Sequence, residues 1–444
     1  MKYFSTNNPH LTASLREAVI NGLAPDRGLY MPESIRPLSS DFYADIHQLS
    51  FHDIAFEVAK AFFGDDIPAE DLRQITADTF CFDVPLVKVA NGIFSLELFH
   101  GPTLAFKDVG ARFMARMLEY FIAHPVQEHQ APRGDVNVLV ATSGDTGSAV
   151  ANGFLGVKGI HVFVLYPKGK VSPIQECQFT TLGRNITAVE VDGVFDDCQR
   201  LVKQAFLDAD LRHHLSMTSA NSINVARLLP QAFYYFYAYA QLRRQQLAGK
   251  APQGAPVISV PSGNFGNLTA GLFAHRMGLS VARFVAANNA NDIFYHYLRT
   301  GDYSPKASIP TLANAMDVGD PSNFARILAL YGSAHKAICK DIAGATYTDD
   351  DISTTMRRCH ESTGYVLDPH GACAYEALLN HVGPAQPGIF LETAHPAKFK
   401  EKVDTILGTE ISLPPRLAAF MKGVKHSEPM SSDFADFKAF LLSR

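Results

Sequence analysis

The stretch VLVATSGDTGSAV, residues 138–150, decides the fold class of this chain of 444 residues. It begins as an uninterrupted apolar run, which is typical of a strand buried on both faces, and continues into a glycine-rich turn that opens a helical pattern. The stretch VISVPSGNFGNLTAG, residues 257–271, repeats this arrangement. Other short apolar runs of the same kind are VNVLVA (136–141), IHVFVLY (160–166), ITAVEV (186–191), VARFVAA (281–287) and GIFLE (388–392).

Helix-length amphipathic segments separate most of these runs, for instance residues 171–182, 196–208 and 267–278. Strands that are apolar throughout and alternate with helices form sheets that are covered on both faces. The pattern therefore predicts an α/β fold with open, mostly parallel sheets flanked by helices.

Three segments are expected along the chain. Residues 1–85 look mainly helical and are interpreted as an appended N-terminal domain. Residues 86–410 are expected to form the main domain in two lobes, of which residues from about 108 to 220 form the smaller one. Residues 411–444 are interpreted as a C-terminal tail.

Composition and charge exclude several classes of protein. The net charge of −5 is spread without blocks of one sign, whereas a nucleic-acid-binding protein would carry a basic face. No apolar run approaches the roughly 18 residues that cross a bilayer, and the N-terminus lacks a signal-peptide pattern. The six cysteines show no C-x-x-C spacing. We therefore expect a cytoplasmic protein with reduced thiols and with no nucleic-acid or membrane partner.

The two glycine-rich turns are candidates for phosphate binding. Parallel sheets bind ligands beyond the carboxyl ends of their strands, where residues 142–147 and 262–267 lie. Glycines let the backbone approach a ligand, and successive N–H groups at a helix start suit an anion. A tight turn between strand and helix also uses glycine, but two such loops in one protein favour phosphate binding. His124 with Glu128 and His129 comes near a zinc pattern but has the wrong spacing, so no metal site is expected.

The stretch LFHGPTLAFKDVG, residues 98–110, places Lys107 at the start of a helical pattern. Apolar residues recur every fourth position from Val109 to Phe121, and Asp108 lies on another, polar face together with Arg112 and Arg116, which predicts an amphipathic helix. A cation at a helix N-terminus is disfavoured by roughly 0.3–1 kcal/mol. Lys107 could extend to solvent beside Asp108, or it could be an amine kept for covalent chemistry. Lysine amines react with carbonyls, and pyridoxal phosphate carries both an aldehyde and a phosphate, so Lys107 is a candidate to hold that cofactor.

Five motifs, in this order, resemble those of the threonine synthase family of fold-type II pyridoxal-phosphate enzymes. They are FHGPTLAFKD, ATSGDTG, NSINVARLLPQ, PSGNFGN and TAHPAKF. GLAPDRGLYMPE near the N-terminus also resembles this family's entry motif, so the resemblance covers nearly the whole chain except the last thirty or so residues. It implies a small-molecule substrate, O-phosphohomoserine, which reacts with water to give threonine and phosphate in the last step of threonine biosynthesis.

The resemblance also implies the role of individual residues in binding the cofactor. Lys107 matches the lysine that binds the cofactor covalently and then moves protons during the reaction. Thr393 matches a hydroxyl that faces the pyridine nitrogen, where a neutral group favours elimination and replacement over transamination. Asp145 stands where relatives commonly place an asparagine near the cofactor's phenolic oxygen. The residues that match the loop around the cofactor phosphate are Gly263, Asn264, Phe265, Gly266 and Asn267.

For the substrate phosphate we expect Asn221, Ser222 and Arg227, with Ser143 and Thr146 opposite them. Arginine offers a bidentate fork that suits phosphate, although a surface salt bridge is the alternative for Arg227.

Two other functions remain open at this point. A serine or threonine dehydratase-like pyridoxal-phosphate lyase would need no pocket for a substrate phosphate. A non-catalytic binder of pyridoxal phosphate or of another phosphorylated metabolite would not need Lys107. The sequence also leaves the oligomeric state open between a monomer and a homodimer.

Overall fold

The structure, a computed structural model, describes residues 1–125 and 134–444. These residues form two compact units, each built from separate stretches of the chain. Unit 1 comprises Met1, Met31–Phe106 and Leu228–Leu413, and unit 2 comprises Lys2–Tyr30, Lys107–Arg227 and Pro414–Arg444. The three segments expected along the chain stay a prediction, because the units are defined by contacts in space and not by position along the chain.

The strands of the described residues are, in chain order, β1 (Lys2–Ser5), β2 (Thr12–Ser14), β3 (Tyr30–Pro32), β4 (Leu86–Ala90), β5 (Ile93–Glu97), β6 (Val136–Ala141), β7 (Ile160–Pro167), β8 (Ile186–Val191), β9 (Ser216–Ser219), β10 (Val257–Pro261), β11 (Arg283–Asn288), β12 (Ile342–Thr346), β13 (Gly388–Glu392) and β14 (Glu428–Met430).

The α-helices of the described residues are α1 (Leu15–Asn21), α2 (Ser40–Asp45), α3 (Phe51–Phe63), α4 (Ala69–Thr79), α5 (Lys107–Ala123), α6 (Asp145–Phe154), α7 (Pro173–Thr180), α8 (Phe195–Leu207), α9 (Ala209–His214), α10 (Val225–Leu228), α11 (Gln231–Leu247), α12 (Gly266–Arg276), α13 (Ile293–Thr300), α14 (Phe324–Leu330), α15 (His335–Asp341), α16 (Asp349–Thr363), α17 (Pro369–His381), α18 (Lys400–Leu407), α19 (Pro415–Phe420) and α20 (Phe434–Leu442). Short 3₁₀ helices lie at Ile46–Gln48, Asn314–Met316 and Pro396–Phe399. Among the described residues, no helix is both long enough and apolar enough to cross a membrane.

The main sheet of unit 2 is parallel and has the strand order β14-β8-β7-β6-β9. Helix α8 packs on this sheet through a fully buried Leu201, and Phe437 and Leu441 of α20 join the same core. A parallel sheet needs apolar cover on both faces, which explains why its strands are apolar throughout. Strands β1 and β2 form a separate antiparallel pair in this unit.

The sheet of unit 1 has the strand order β12-β11-β10-β13-β5-β4. Its strands run parallel except β4, which pairs antiparallel with β5 at one edge. Helix α17 packs across β10, β11 and β13, and its buried residues, such as Ala374 and Leu378, belong to the core of this unit. The expected α/β fold with mostly parallel sheets is therefore confirmed.

The apolar runs predicted the central strands β6, β7, β8, β10, β11 and β13 to within two residues at either end. Strands β4, β5, β9, β12 and β14 of the two main sheets were missed. The sequences of β9 and β14, SMTS and EPM, are short and carry no apolar run. Helix α5 begins at Lys107 as predicted, but its amphipathic pattern was wrong at one position. Asp108, expected on the polar face, is only 1% exposed.

Candidate active site

Two of the predicted cofactor segments meet at one edge of the sheet in unit 1. Strands β10 and β13 are parallel neighbours, with Ser259 opposite Phe390. Their carboxyl ends therefore lie at the same edge of the sheet, which is where open parallel sheets bind ligands. The chain leaves β10 through residues 262–267 and leaves β13 through Thr393, whose side chain is mostly buried.

The loop after β10 can exist only with glycine at its tightest point. A Cβ atom on Gly263 would lie 2.7 Å from the Cα atom of Met316 and 3.0 Å from the carbonyl oxygen of Ala315. Both neighbours are backbone atoms, so no side chain can move away to make room. Phe265 adopts a left-handed conformation with φ of 58°, and helix α12 begins directly after it at Gly266. The N–H groups of a first helical turn have no acceptor within the helix, so this loop presents donors that suit an anion.

Asn267 carries a donor that the protein itself does not satisfy. Its Oδ1 atom accepts hydrogen bonds from the hydroxyls of Tyr234 and Tyr235, each at 2.7 Å. Burial raises the pKa of both phenols well above the ordinary value, so both stay protonated donors. The Asn267 Nδ2 atom is buried and has no hydrogen-bond partner among the described residues. A buried amide donor without an acceptor is costly unless a ligand supplies one.

Asn264 is fixed by the segment that precedes α14. Its Oδ1 atom accepts a hydrogen bond from the backbone N–H of Ser322 at 2.6 Å. Its carbonyl oxygen accepts a bond from Asn323 Nδ2 at 3.0 Å, and Arg326 in turn donates to Asn323 Oδ1 at 2.7 Å. Sequence reasoning missed Asn323 and Arg326, because nearly sixty residues separate them from the loop and neither belongs to a quoted motif.

The backbone at Thr393 is held by a hydrogen bond, and the imidazole of His395, two residues further along the chain, is neutral. The carbonyl oxygen of Thr393 accepts a hydrogen bond from the N–H of Phe106 at 2.8 Å. Burial, together with the charge of His100, lowers the pKa of His395 to about 4. The His395 ring therefore carries no charge at neutral pH, and its Nδ1 atom accepts a bond from the Ala397 N–H at 3.1 Å.

In unit 2, Lys107 is the first residue of α5 and is partly exposed. Arg227 is only 2% exposed and donates a hydrogen bond through Nη1 to the carbonyl oxygen of Ala220. A Cβ atom on Gly110 would lie 3.0 Å from Arg227 Nε, so this guanidinium lies directly against the first turns of α5. Burial lowers the pKa of Arg227 to about 10, and the negative charge of Asp108 opposes that shift. Arg227 therefore remains a cation at neutral pH.

The other residues predicted for the substrate phosphate lie at the carboxyl edge of the sheet in unit 2. Strands β6 and β9 are parallel neighbours, so the loops that follow them share this edge. The Nδ2 atom of Asn221 donates a hydrogen bond to the carbonyl oxygen of Ala141 at 3.2 Å, which joins the two loops. Ser143, Thr146 and Ser222 are partly exposed there. The structure thus brings these hydroxyl and amide groups together on one unit.

Thr142 fixes the loop after β6, although sequence reasoning did not single it out. Its hydroxyl oxygen accepts hydrogen bonds from the N–H groups of Gly144 at 2.9 Å and Gly147 at 2.8 Å. Asp145 opens helix α6, is 6% exposed, and accepts a hydrogen bond from Gln175 Nε2 at 2.9 Å. That bond occupies one oxygen of the carboxylate, and contact of Asp145 with a cofactor stays a prediction.

The donors at the two sheet edges fit pyridoxal phosphate better than a metal. Among the described residues, no group of three or more His, Cys, Asp and Glu side chains could hold a metal ion. Glu128 and His129 of the near-match to a zinc pattern lie outside the described residues. The glycine loop and the unsatisfied Asn267 amide fit a phosphate group, and a threonine hydroxyl beside a neutral imidazole fits an uncharged ring nitrogen.

Three family models match the chain. The model described as "Pyridoxal-phosphate dependent enzyme" matches residues 79–391, "Threonine synthase N terminus" matches residues 2–80, and "Threonine synthase, C-terminal" matches residues 371–441. The first of these models alone covers more than half of the chain.

Relatives and solved structures agree with these models over the full length. Threonine synthase of Haemophilus influenzae is 43% identical over 444 residues, which cover 100% of both chains. The crystal structure of threonine synthase from Escherichia coli superposes with a TM-score of 0.91 at 43% identity and covers 100% of both chains. A pyridoxal-phosphate-bound threonine synthase from Brucella melitensis gives a TM-score of 0.90 at 34% identity, covering 99% of this chain and 98% of that one.

Similarity of this extent decides against the dehydratase-like and non-catalytic alternatives, and it confirms both the family and the cofactor inferred from the motifs. The chain belongs to the threonine synthase family of pyridoxal-phosphate-dependent enzymes.

Proposed function

We propose that this chain catalyses the threonine synthase reaction, in which O-phosphohomoserine and water give threonine and phosphate, and we assign the parts of that reaction to individual residues. The observation that carries the proposal is the buried Asn267 amide, which has no acceptor among the described residues and lies in the first turn of the helix that follows the Gly263 loop. This amide and the N–H groups of a first helical turn call for an anionic ligand at the edge of unit 1 where Thr393 also lies.

The residues proposed to hold the phosphate and the ring of the cofactor lie in unit 1. The backbone N–H groups of residues 263–267 and the Asn267 amide hold the cofactor phosphate. Gly263 lets this loop pack directly on the backbone of Ala315 and Met316, and Asn264 is held in place by its own hydrogen bonds. The Thr393 hydroxyl faces the ring nitrogen, where it offers no charge. When bound, pyridoxal phosphate supplies an electron sink that acidifies the hydrogens on Cα and Cβ of the substrate.

Lys107 would hold the cofactor covalently until the substrate amine takes its place, and its free amine would then carry protons. A neutral Nζ atom holds one added proton at a time, so it would take the proton from Cα, give it up to the electron sink that the bound cofactor would supply, and only then take a proton from Cβ as phosphate leaves from Cγ. The second proton would go to Cγ. Water would add its hydroxyl at Cβ and yield its other hydrogen to the departed phosphate, and the first proton would return to Cα. One amine can serve several positions because the lysine stem is flexible and its charged head is compact.

Unit 2 supplies the groups for the substrate phosphate. Ser143, Thr146 and Ser222 offer hydroxyls, and Asn221 offers an amide next to them. Arg227 supplies the positive charge of this region, because it remains a cation despite its burial. A phosphate that is first recognised and then expelled explains why one reaction uses two anion-binding regions. Asp145 accepts a hydrogen bond from Gln175, and its carboxylate would repel the phenolic oxygen of the cofactor unless it were protonated or turned away from it.

We also propose that the enzyme works in the cytoplasm, as a monomer or a homodimer, with no nucleic-acid partner. The cytoplasmic location is supported by six cysteines that form no disulfide among the described residues.

Replacing Lys107 by alanine is expected to lower the formation of threonine and phosphate by about 10²–10⁴-fold or more, because the proton carrier is lost. Far-ultraviolet circular dichroism should show an unchanged fold, since Lys107 is partly exposed at a helix start. Lys400→Ala is the matched control, because Lys400 also begins a helix, α18, and should keep full turnover. Appreciable threonine formation by the Lys107 variant would exclude this residue as the base.

Replacing Gly263 by alanine is expected to weaken retention of the cofactor. The added Cβ atom meets backbone atoms at 2.7 and 3.0 Å, so the loop must shift away from its present conformation. Cofactor content after dialysis measures the effect. Gly383→Ala is the control, since its Cβ would find its nearest neighbours at 3.8 and 3.9 Å. Wild-type retention in a folded Gly263 variant would rule out this loop as the phosphate site.

Replacing Arg227 by alanine is expected to raise the KM for O-phosphohomoserine about ten- to a hundredfold, as for loss of a charge-assisted hydrogen bond of roughly 1.5–3 kcal/mol. Arg227→Lys keeps the charge but loses the planar fork, so a partial loss is expected. Competitive inhibition by inorganic phosphate should weaken in parallel, whereas the exposed Arg212→Lys should change neither value. If phosphate inhibition is unchanged in folded Arg227 variants, then Arg227 only supports the fold.

A further inference from the structure

Two neighbouring acidic residues, Glu392 and Asp368, are buried in the interior of unit 1, and Glu392 directly precedes Thr393 in the chain. Glu392 is the last residue of β13, and Asp368 is the N-cap of α17; both are 0% exposed. The backbone N–H of Asp368 donates a hydrogen bond to Glu392 Oε1 at 2.6 Å. A Cβ atom on Gly371 would lie 1.6 Å from Glu392 Oε2, so this packing requires glycine at position 371.

The hydrogen bonds identify which carboxyl group is ionised. Asp368 Oδ1 accepts a bond from the Gly371 N–H at 2.6 Å, and Oδ2 lies 2.5 Å from His370 Nδ1. The N–H of Ala315 donates to His370 Nε2 at 3.1 Å, so the proton of the neutral ring is on Nδ1 and points to Asp368. Asp368 therefore receives the donors that stabilise a carboxylate. Glu392 Oε2, in contrast, is buried and accepts no hydrogen bond from any described residue.

The surroundings of Glu392 oppose its ionisation. Burial, followed by the negative charges of Asp368 and Glu97, raises the pKa of Glu392 well above its ordinary value, and the Asp368 N–H only partly opposes this. Tyr365 also faces Glu392 and donates to Glu97 Oε1 at 2.8 Å. Two adjacent buried carboxylates repel each other, so their burial favours the state in which one of them is protonated.

We propose that Glu392 is a protonated carboxylic acid at neutral pH, donates its hydrogen to Asp368, and thereby acts as a positioning residue for two walls of the cofactor site. One wall is Thr393, the next residue in the chain. The other is reached through Asp368, His370 and the N–H of Ala315, whose carbonyl lies against Gly263. Loss of the shared proton would place two negative charges together and push these walls apart. This inference rests on the proposed cofactor roles of Thr393 and the Gly263 loop.

The first experiment compares the free energy of unfolding of the cofactor-free wild type and Glu392→Gln from pH 5 to pH 9. A raised pKa in the folded state gives stability that is present below the unfolded pKa, near 4.3, and is lost as pH rises toward the folded pKa. The unfolding equilibrium constant of the wild type should therefore rise by up to about tenfold per pH unit relative to Glu392→Gln within that window. A constant ratio across the range would overturn the proposal.

The second experiment measures the dissociation constant for pyridoxal phosphate by absorbance titration at pH 7. Glutamine mimics the neutral acid, so Glu392→Gln should bind the cofactor nearly as the wild type does. Asp368→Asn should raise the dissociation constant about tenfold or more, because its amide would face the N–H donors of Gly371 or His370. A greater loss in Glu392→Gln than in Asp368→Asn would mean that Glu392 is the ionised member and would overturn the proposal.

If Glu392→Gln does not fold, infrared spectroscopy of the wild type decides the question. A C=O stretching band of a buried protonated carboxyl group is expected at pH 7, and its absence would overturn the proposal. These experiments also separate this inference from the proposed function. If the proposed function is wrong, the wild type will form no threonine, but the pH dependence of its unfolding and its infrared band will still be as expected.

Discussion

The structure depends on one geometric constraint, the common direction of neighbouring parallel strands. Because β10 and β13 run parallel, the glycine loop after the first and Thr393 after the second must lie at one edge of unit 1. The same rule brings the loops after β6 and β9 together in unit 2, where Asn221 bonds to the carbonyl of Ala141. Segments more than a hundred residues apart in unit 1, and 80 residues apart in unit 2, are thus placed together by strand order alone.

Buried polar groups then give these two sheet edges different electrostatic properties. In unit 1 the donors are backbone N–H groups and one amide, while the imidazole of His395 is kept neutral by burial. In unit 2 a buried Arg227 remains charged. In the proposed function, this difference places a charge where the substrate phosphate is recognised and released, and no charge where the ring nitrogen of the cofactor would lie.

Much of this arrangement could be predicted from the sequence. The central strands appear as apolar runs because both faces of a parallel sheet are buried, and the glycine loops stand out because close backbone approach excludes other residues. Asp108 was wrongly predicted to lie on an exposed face, because the spacing of residues in a helix does not show what packs against it. The buried Arg227 that faces Asp108 lies over a hundred residues away in the chain. The hydrogen bonds that link Asp368 and His370 to their partners could not be predicted from the sequence either, because those partners lie far away along the polypeptide. These partners, Ala315 and Glu392, are set by the fold and not by a local motif.

The central claim is that Lys107, and no other lysine, holds the cofactor. Lys398 is the instructive competitor, since it lies in a quoted motif and is 1% exposed, but its Nζ atom donates to the carbonyl of Thr103 at 2.9 Å. Borohydride reduction of the cofactor-loaded protein makes the link to the lysine permanent, and proteolysis with mass spectrometry then locates it. We predict a pyridoxyl-phosphate group on the peptide that contains Lys107. A label on Lys398 or on any other lysine, with Lys107 unmodified, would contradict this assignment.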